Sequence, residues 1–264
     1  MNVRTALAAL LCACALAPTA RAEAETVEIE LSGRLVQADV HRPDAPARAA
    51  VVVAHGFMRS RATMTGHAQA LARHGLLAIA PDLPSLTDSR DNGRALGELV
   101  ARIRAGGFGA PVERVVLVGF SAGGLAALLA AASPGVVGYV GLDAFDRPGG
   151  VGREAARKLA VPAVLVHGTP TFCNAYGISA PWSTALPALL EERVIEGASH
   201  CDFEWPTDRA CTIFCGATDA NRQRVVRETL LSAVERFLAR DRARAPSPSR
   251  RVNAQSQSEL TSRM

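Results

Sequence analysis

Short, uninterrupted apolar runs recur along the chain, and segments with helical spacing separate them. A run of this kind is typical of a strand that is buried on both faces of a parallel sheet. Two segments near the start instead alternate apolar and polar residues around a Ser32-Gly33 turn, as antiparallel strands do. The predicted strands are 27–31, 34–40, 49–54, 76–80, 115–118, 136–142 and 163–166, with 193–195 as a shorter candidate.

Between these strands, apolar residues recur at steps of three and four, which predicts amphipathic helices. The predicted helices are 64–73, 93–104, 125–132, 154–159, 184–191 and 221–238. The alternation of strand and helix predicts an α/β fold, with a mostly parallel twisted sheet of about seven to eight strands flanked by helices. In such a sheet, functional residues lie just after the carboxyl ends of the strands.

The two ends of the chain differ from its middle. Residues 1–22 predict a signal peptide, because Arg4 precedes an apolar stretch and Ala20-Arg21-Ala22 fits a cleavage site. The segment Leu11-Cys12-Ala13-Cys14 leaves lipidation at Cys14 as an alternative. Residues 241–264 are rich in Arg, Pro and Ser and predict a disordered tail, which leaves 23–240 as one folded domain.

Charge and hydropathy exclude several classes of protein. The chain carries a net charge of +4, but residues 23–239 hold 21 basic and 23 acidic side chains, a net charge of −2. A nucleic-acid-binding domain would place a basic patch on its folded part, so we expect no nucleic acid as a partner. After the signal no apolar stretch approaches the roughly 20 residues that span a bilayer, so no transmembrane segment is expected.

Four cysteines remain once the signal is removed, namely Cys173, Cys201, Cys211 and Cys215. An even number in an exported protein favours disulfides, and four cysteines allow three connectivities. Zinc is the competing interpretation. Because Cys211-x-x-x-Cys215 has no second pair of ligands at the usual spacing, we expect no metal.

The strand 115–118 is followed by Gly119-Phe120-Ser121-Ala122-Gly123 and then an alanine-rich helix. This is a G-x-S-x-G motif between a strand and a helix, the context in which a serine becomes a nucleophile. Side chains at 119 and 123 would clash with neighbouring strands in so sharp a turn. Ser121 is therefore the predicted nucleophile, at a helix N-terminus that favours developing negative charge.

The strand 49–54 is followed by His55-Gly56-Phe57-Met58. Gly56 would let the chain turn away from the sheet and aim the backbone N–H of Phe57 at the site. With the N–H of Ala122, it is predicted to form an oxyanion hole. For His55 we favour hydrogen bonds to loop backbone over a catalytic role.

A base and an acid must complete such a site. His200, in Ser199-His200-Cys201-Asp202 ahead of the last helix, is the predicted base. The stretch 161–190 contains no Asp or Glu, so the loop after 163–166 cannot supply the acid. Asp143, directly after the strand 136–142, is the predicted acid that orients His200, with Asp146 as the alternative.

The order Ser121, Asp143, His200, with the Gly-x-Ser-x-Gly turn and the His-Gly loop, resembles the α/β-hydrolase superfamily over about residues 33–239. Gly141-Leu142-Asp143 and the segment 197–203 are similar to its lidless chlorophyllase-like and polyester-hydrolase-like branch, which is related to dienelactone hydrolases. The resemblance implies that 23–240 is the catalytic domain. Many relatives place the acid after the later strand, where this chain has none.

Only about 17 residues separate Asp143 from Val161, too few for a helical cap domain, so an open site without a large cap is expected. Side chains in the strand-end loops are expected either to bind substrate or to pack as minor core. They are Met58, Phe120, Phe145, Phe172, Tyr176 and Trp182, together with Phe57. From the adjacency of loops in this fold, we expect bridges Cys173–Cys201 and Cys211–Cys215.

The resemblance implies a serine hydrolase that cleaves carboxylic esters through an acyl-enzyme, without a cofactor or metal. The predicted signal peptide makes it an exported protein, periplasmic or secreted. Its substrate would be a small or polymeric ester, and a monomer is expected. An amide or peptide hydrolase or an acyltransferase would use the same three residues. A non-catalytic binding protein on this fold is the remaining alternative.

Overall fold

The structure is a computed structural model that describes residues 24–244. The predicted signal peptide and most of the predicted tail lie outside the described residues. The strands are β1 (Glu25–Leu31), β2 (Arg34–His41), β3 (Ala50–Ala54), β4 (Leu77–Pro81), β5 (Val115–Phe120), β6 (Val136–Leu142), β7 (Ala163–His167) and β8 (Leu189–Val194).

Seven α-helices and three short 3₁₀-helices connect the strands within residues 24–244. The α-helices are α1 (Thr65–Arg73), α2 (Ser89–Arg104), α3 (Ala122–Ala130), α4 (Val151–Lys158), α5 (Trp182–Ala185), α6 (Arg209–Cys215) and α7 (Ala220–Arg244). The 3₁₀-helices are Arg61–Met64, Phe172–Asn174 and His200–Phe203. No helix of the described part is both long and apolar enough to cross a membrane.

All eight strands form one sheet in the order β1-β2-β4-β3-β5-β6-β7-β8. Strand β2 runs antiparallel to β1 and β4. In the rest of the sheet, β4-β3-β5-β6-β7-β8, each pair of adjacent strands is parallel. The expected mostly parallel sheet is confirmed, and 143–162 holds only a loop and the short α4, with no large cap. Parallel strands end at one edge, so the residues after β3, β5, β6 and β7 meet there.

The sheet separates two hydrophobic cores, as the continuous apolar runs require. Alternate residues of β3 and β5 face opposite sides: Val52 and Leu117 pack under α2 and α3, whereas Val53 and Val118 pack under α1 and α7. Helix α7 lies close on β6, where a Cβ at Gly138 would be 2.1 Å from the Phe237 ring. Burial on both faces explains why these strands lack polar alternation.

Two sequence-based expectations differ from the structure. The helix expected at 184–191 is limited to α5, because Pro187 cannot continue it and 189–191 already belong to the edge strand β8. At the other end, α7 extends to Arg244, past the end at 238 expected for the last helix. Arg242 and Arg244 lie in its last turn, where positive charge favours a helix C-terminus.

Candidate active site

Ser121 lies on a strained turn between β5 and α3. Its φ is +52° and its ψ is −123°, a conformation that side-chain-bearing residues rarely adopt. A Cβ on Gly119 would lie 2.2 Å from the backbone oxygen of Gly123, and a Cβ on Gly123 would lie 2.2 Å from that of His55. Both clashes involve backbone, so only glycine fits either position, as the motif predicts.

Backbone hydrogen bonds fix this turn against the loop that follows β6. The N–H of Ser121 donates to the carbonyl of Leu142 at 3.1 Å, and the N–H of Phe145 donates to the carbonyl of Ser121 at 2.9 Å. From beneath, the hydroxyl of Tyr139 donates to the carbonyl of Gly124 at 3.0 Å. The turn and the loop that carries Asp143 are therefore hydrogen-bonded to each other.

Asp143 and His200 form a buried pair. Asp143 Oδ2 lies 2.5 Å from Nδ1 of His200, and both residues are buried. The N–H of Gly168 donates to Oδ1 at 2.9 Å, and the side-chain amide of Asn174 lies 3.3 Å from both carboxylate oxygens. These donors hold the carboxylate in place, while its Oδ2 lies against Nδ1 and can orient the ring.

Asn174 is a member of this site that the sequence did not reveal. It lies in the loop after β7, the loop that contains no acid, and it contacts Asp143 from there. The same side chain accepts from the N–H of Thr171 at 2.8 Å and donates to the carbonyl of Thr169 at 3.0 Å. An amide provides both donor and acceptor, so it can hold the loop and the carboxylate together.

Asp146 has a different environment from Asp143. Its carboxylate accepts hydrogen bonds from the N–H groups of Arg147, Gly152 and Arg153 and from the indole N–H of Trp182 at 2.8 Å. Its hydrogen bonds thus go to the start of α4 and to the core, and none goes to His200. The geometry favours Asp143 over Asp146 as the partner of the histidine.

The ring of His200 packs on Phe120, with the ring centroids 4.6 Å apart and an interplanar angle of 39°. Phe120 directly precedes Ser121, so the histidine lies beside the serine turn. Among residues 24–244 the Ser121 hydroxyl forms no hydrogen bond with His200. Such bonds are often loose or absent before substrate binds.

The loop after β3 approaches Ser121 closely. A Cβ on Gly56 would lie 3.0 Å from Cβ of Ser121 and 3.1 Å from the Phe120 ring. The N–H of Phe57 has no acceptor among the described residues, and the N–H of Ala122 begins α3, where no intrahelical acceptor exists. Two N–H groups without an acceptor among the described residues thus lie near Ser121, one in the loop after β3 and one on the residue that follows the serine.

His55 is bound to loop backbone on both sides of its ring. Its Nδ1 lies 2.8 Å from the carbonyl of Gly56, and its Nε2 accepts from the N–H of Leu83 at 3.0 Å. Burial lowers the pKa of His55 below the usual value. A neutral ring that donates from Nδ1 and accepts at Nε2 satisfies both contacts.

The candidate substrate-binding side chains fall into three groups by burial. Phe120 and Trp182 are buried, the first against His200 and the second in the core with its indole N–H on Asp146. Phe145 is half-buried. The others are exposed on the strand-end loops, and α6 adds two apolar side chains that the sequence did not suggest. The exposed ones are Phe57, Met58, Phe172, Tyr176, Ile213 and Phe214.

Both disulfides involve α6 and differ from the pairing expected above. Cys173 is bonded to Cys215, and Cys201 is bonded to Cys211, so the expected bridges Cys173–Cys201 and Cys211–Cys215 are wrong. The reason is that 209–215 is helical and contacts both the loop after β7 and the histidine loop (residues 199–208). Each loop is bonded to α6 rather than directly to the other.

The sulfur atoms of Cys201, Cys211 and Cys215 lie within 4.8 Å of one another, close enough for a metal ion. All three cysteines are oxidised in disulfides, and a metal requires the thiolate form. This cluster is therefore not a metal site while the disulfides are intact.

Comparison with known proteins assigns the chain to a family. A family model described as "Alpha/beta hydrolase family" matches residues 51–252. No protein of curated function matches the chain.

Solved structures with the same fold include a dienelactone hydrolase from Anabaena variabilis (21% identity, TM-score 0.58, 70% of this chain and 91% of that one). Est1E from Butyrivibrio proteoclasticus is 16% identical, with a TM-score of 0.60 over 80% of this chain and 99% of that one. Esterase 2 of Thermogutta terrifontis is 18% identical, with a TM-score of 0.61 over 87% of this chain and 99% of that one. At such identities the likeness concerns the fold.

Proposed function

Because the chain belongs to the α/β hydrolase family, we propose that it is a serine hydrolase of carboxylic esters, with Ser121, His200 and Asp143 as its catalytic residues. The observation that carries this proposal is the buried Asp143–His200 pair beside a serine on a strained strand-to-helix turn. One structural neighbour is named as an esterase and another as a dienelactone hydrolase, which supports ester hydrolysis as the reaction.

In the proposed reaction, Ser121 Oγ attacks the ester carbonyl carbon while Nε2 of His200 takes the hydroxyl proton. Asp143 accepts the Nδ1–H bond, which fixes the tautomer that leaves Nε2 free. It also stabilises the imidazolium that forms. The carbonyl oxygen becomes an oxyanion that accepts hydrogen bonds from the N–H groups of Phe57 and Ala122.

Collapse of this tetrahedral intermediate breaks the bond to the alcohol, which leaves with the proton from His200. The acyl group stays on Ser121. Water then attacks the acyl-enzyme, His200 accepts its proton, and the carboxylic acid leaves as the serine regains its hydrogen. All groups that move a proton or hold charge in these steps are the chain's own.

We further propose that the exposed apolar residues Phe57, Met58, Phe172 and Tyr176, with half-buried Phe145, contact the substrate. Met58 and Tyr176 have positive φ values of 54° and 56°, conformations that are kept only where surrounding structure holds them. With no large cap over the site, bulky or extended esters are the proposed substrates.

Export to the periplasm or the exterior is part of the proposal. Two disulfides are consistent with an oxidising compartment, and the sequence pattern of 1–22 is that of a signal peptide. Mass spectrometry of the N-terminus after expression with the full leader tests it. A mature chain that begins at Glu23 is expected, and an uncleaved cytoplasmic chain would contradict it.

The activity is tested with p-nitrophenyl acetate, butyrate, octanoate and palmitate. The native protein is compared with Ser121→Ala and with Ser232→Ala, which removes an exposed serine of α7 as a matched control. We expect hydrolysis by the native and control proteins and a loss of at least about 10³-fold in Ser121→Ala. Equal rates in all three would reject Ser121 as the nucleophile.

A further inference from the structure

An ion pair with one fully buried partner joins two loops of the site that are far apart in sequence. Glu204 is fully buried, and Arg59 meets it with a fork: Nε lies 2.5 Å from Oε1, and Nη2 lies 2.8 Å from Oε2. Thr207 Oγ1 also donates to Oε2 at 3.0 Å. The hydrogen bond to Glu204 raises the pKa of Arg59, so the guanidinium is always charged.

The pair lies between the oxyanion loop (residues 55–59) and the histidine loop (residues 199–208). Arg59 follows Phe57 by two residues, and its own N–H closes a turn onto the carbonyl of Gly56 at 3.2 Å. Glu204 directly follows the 3₁₀-helix that begins at His200, and its N–H donates to the carbonyl of Cys201 at 3.3 Å. The ion pair therefore connects these two loops directly.

The guanidinium of Arg59 is also connected to the histidine loop through Asp208 and α6. Nη1 of Arg59 lies 3.0 Å from Oδ2 of Asp208, and Asp208 caps α6 by accepting from the N–H of Cys211 at 2.9 Å. Cys211 is bonded to Cys201, the neighbour of His200. Arg59 is thus connected to the histidine loop at both its middle and its far end.

From this arrangement we propose that Arg59 is a positioning residue, which holds the Phe57 N–H in place relative to Ser121 and His200 by binding Glu204 and Asp208. The proposal rests on the function proposed above. Oxyanion donors act only when they are pre-set to within a fraction of an ångström, because donors that must move lose much of their effect. A bidentate fork fixes both distance and angle, which a lysine cannot do.

The test uses Arg59→Lys, which keeps the charge and loses the fork. Arg61→Lys is the matched control, since Arg61 is similarly buried but binds Asp39 and Asp82, away from the histidine loop. For each protein we would measure kcat and KM with p-nitrophenyl butyrate, the affinity for phenylboronic acid, and the pH profile. The boronate forms a tetrahedral serine adduct whose oxygen occupies the oxyanion site.

For Arg59→Lys we expect kcat and boronate affinity to fall together by about 10–100-fold, with KM within about twofold. The acid limb of the pH profile should not move, because the His200–Asp143 pair is untouched. Arg61→Lys should keep kcat and boronate affinity within about twofold. A merely structural role for Arg59 would lower the unfolding temperature and leave the boronate affinity of the folded protein unchanged.

If Arg59→Lys does not fold, the double variant Arg59→Met/Glu204→Leu decides, because it leaves no buried charge unpaired. Native kcat and boronate affinity in either folded variant would overturn the proposal and leave the proposed function intact. If the native protein neither hydrolyses the ester nor binds the boronate at Ser121, both proposals fail.

Discussion

Loss of one disulfide should mainly lower stability, and loss of the other should mainly lower activity. Cys173–Cys215 spans 42 residues and Cys201–Cys211 spans 10. In the chain-entropy description, a cross-link that closes a longer loop removes more freedom from the unfolded chain. These spans correspond to about 4 kcal/mol and about 2.7 kcal/mol of the free energy of unfolding. Loss of the Cys173–Cys215 bridge, which closes the longer loop, should therefore lower the free energy of unfolding more than loss of Cys201–Cys211.

Activity should follow the opposite order. Cys201 is buried and adjoins His200, the proposed base, whereas Cys173 adjoins Asn174, which acts on His200 only through Asp143. A displacement of the base by about 1 Å can cost about 100-fold in rate. We expect kcat/KM to fall about 10–100-fold without Cys201–Cys211 and only a few-fold without Cys173–Cys215.

Double alanine variants of each pair test both orders, since alanine leaves no stray thiol to exchange. Urea unfolding followed by tryptophan fluorescence should show midpoints lower by about 1.3 M without Cys173–Cys215 and about 0.9 M without Cys201–Cys211, at a slope of about 3 kcal/mol/M. Hydrolysis of p-nitrophenyl butyrate is measured without urea. Equal activities in the two folded variants would refute the role given to the histidine-loop bridge.

Three further perturbations have defined outcomes. Asp143→Asn should lower kcat by about 10³–10⁴-fold with little change in unfolding temperature. Asp146→Asn should instead lower the free energy of unfolding by about 1–3 kcal/mol and keep kcat within a few-fold. The reverse pattern in kinetics and thermal unfolding would exchange the roles of the two carboxylates. Gly123→Ala should abolish detectable esterase activity, because its Cβ would lie 2.2 Å from the backbone oxygen of His55; a folded, active variant would contradict that contact. Burial lowers the pKa of His67 from 6.5 to about 4, so below pH 6.5 the unfolded chain binds a proton that the folded chain does not. The free energy of unfolding should therefore fall by on the order of 3 kcal/mol between pH 6.5 and 4. Urea unfolding of His67→Gln should show a smaller decline over this pH range, because the variant lacks the histidine. An identical pH dependence in the two proteins would contradict this prediction.

Most of the fold could be predicted from periodicity alone. Strands buried on both faces must be apolar throughout, so β3 and β5 stand out in the sequence. The segment 184–191 misled because an edge strand is buried on one side only and β8 carries exposed charges, so its apolar residues imitate helical spacing. Pro187 was the local signal against a helix.

The site was predictable where local chemistry dictates it. Gly119 and Gly123 are required by the turn at Ser121 itself, and the absence of any acid in 161–190 pointed to Asp143. Contacts between distant loops were not predictable. Asn174 binds Asp143 from 31 residues away, and the Arg59–Glu204 pair spans 145 residues.

The disulfide pairing shows the same limit. Its geometry depends on where α6 lies, and a seven-residue helix leaves little periodic signal in the sequence. Without α6, proximity of the two loops suggested a direct bridge. Because α6 contacts both loops, Cys211 is bonded to Cys201 of the histidine loop and Cys215 is bonded to Cys173 of the loop after β7.

The most direct test of the account is covalent labelling with a fluorophosphonate, which reacts with an activated serine. The native protein should take up one equivalent, and tandem mass spectrometry should place the phosphonyl group on Ser121, with Asp143→Asn labelled far more slowly. No labelling of the folded protein, or labelling on a different serine, would contradict the claim that Ser121 is a nucleophile activated by His200 and Asp143.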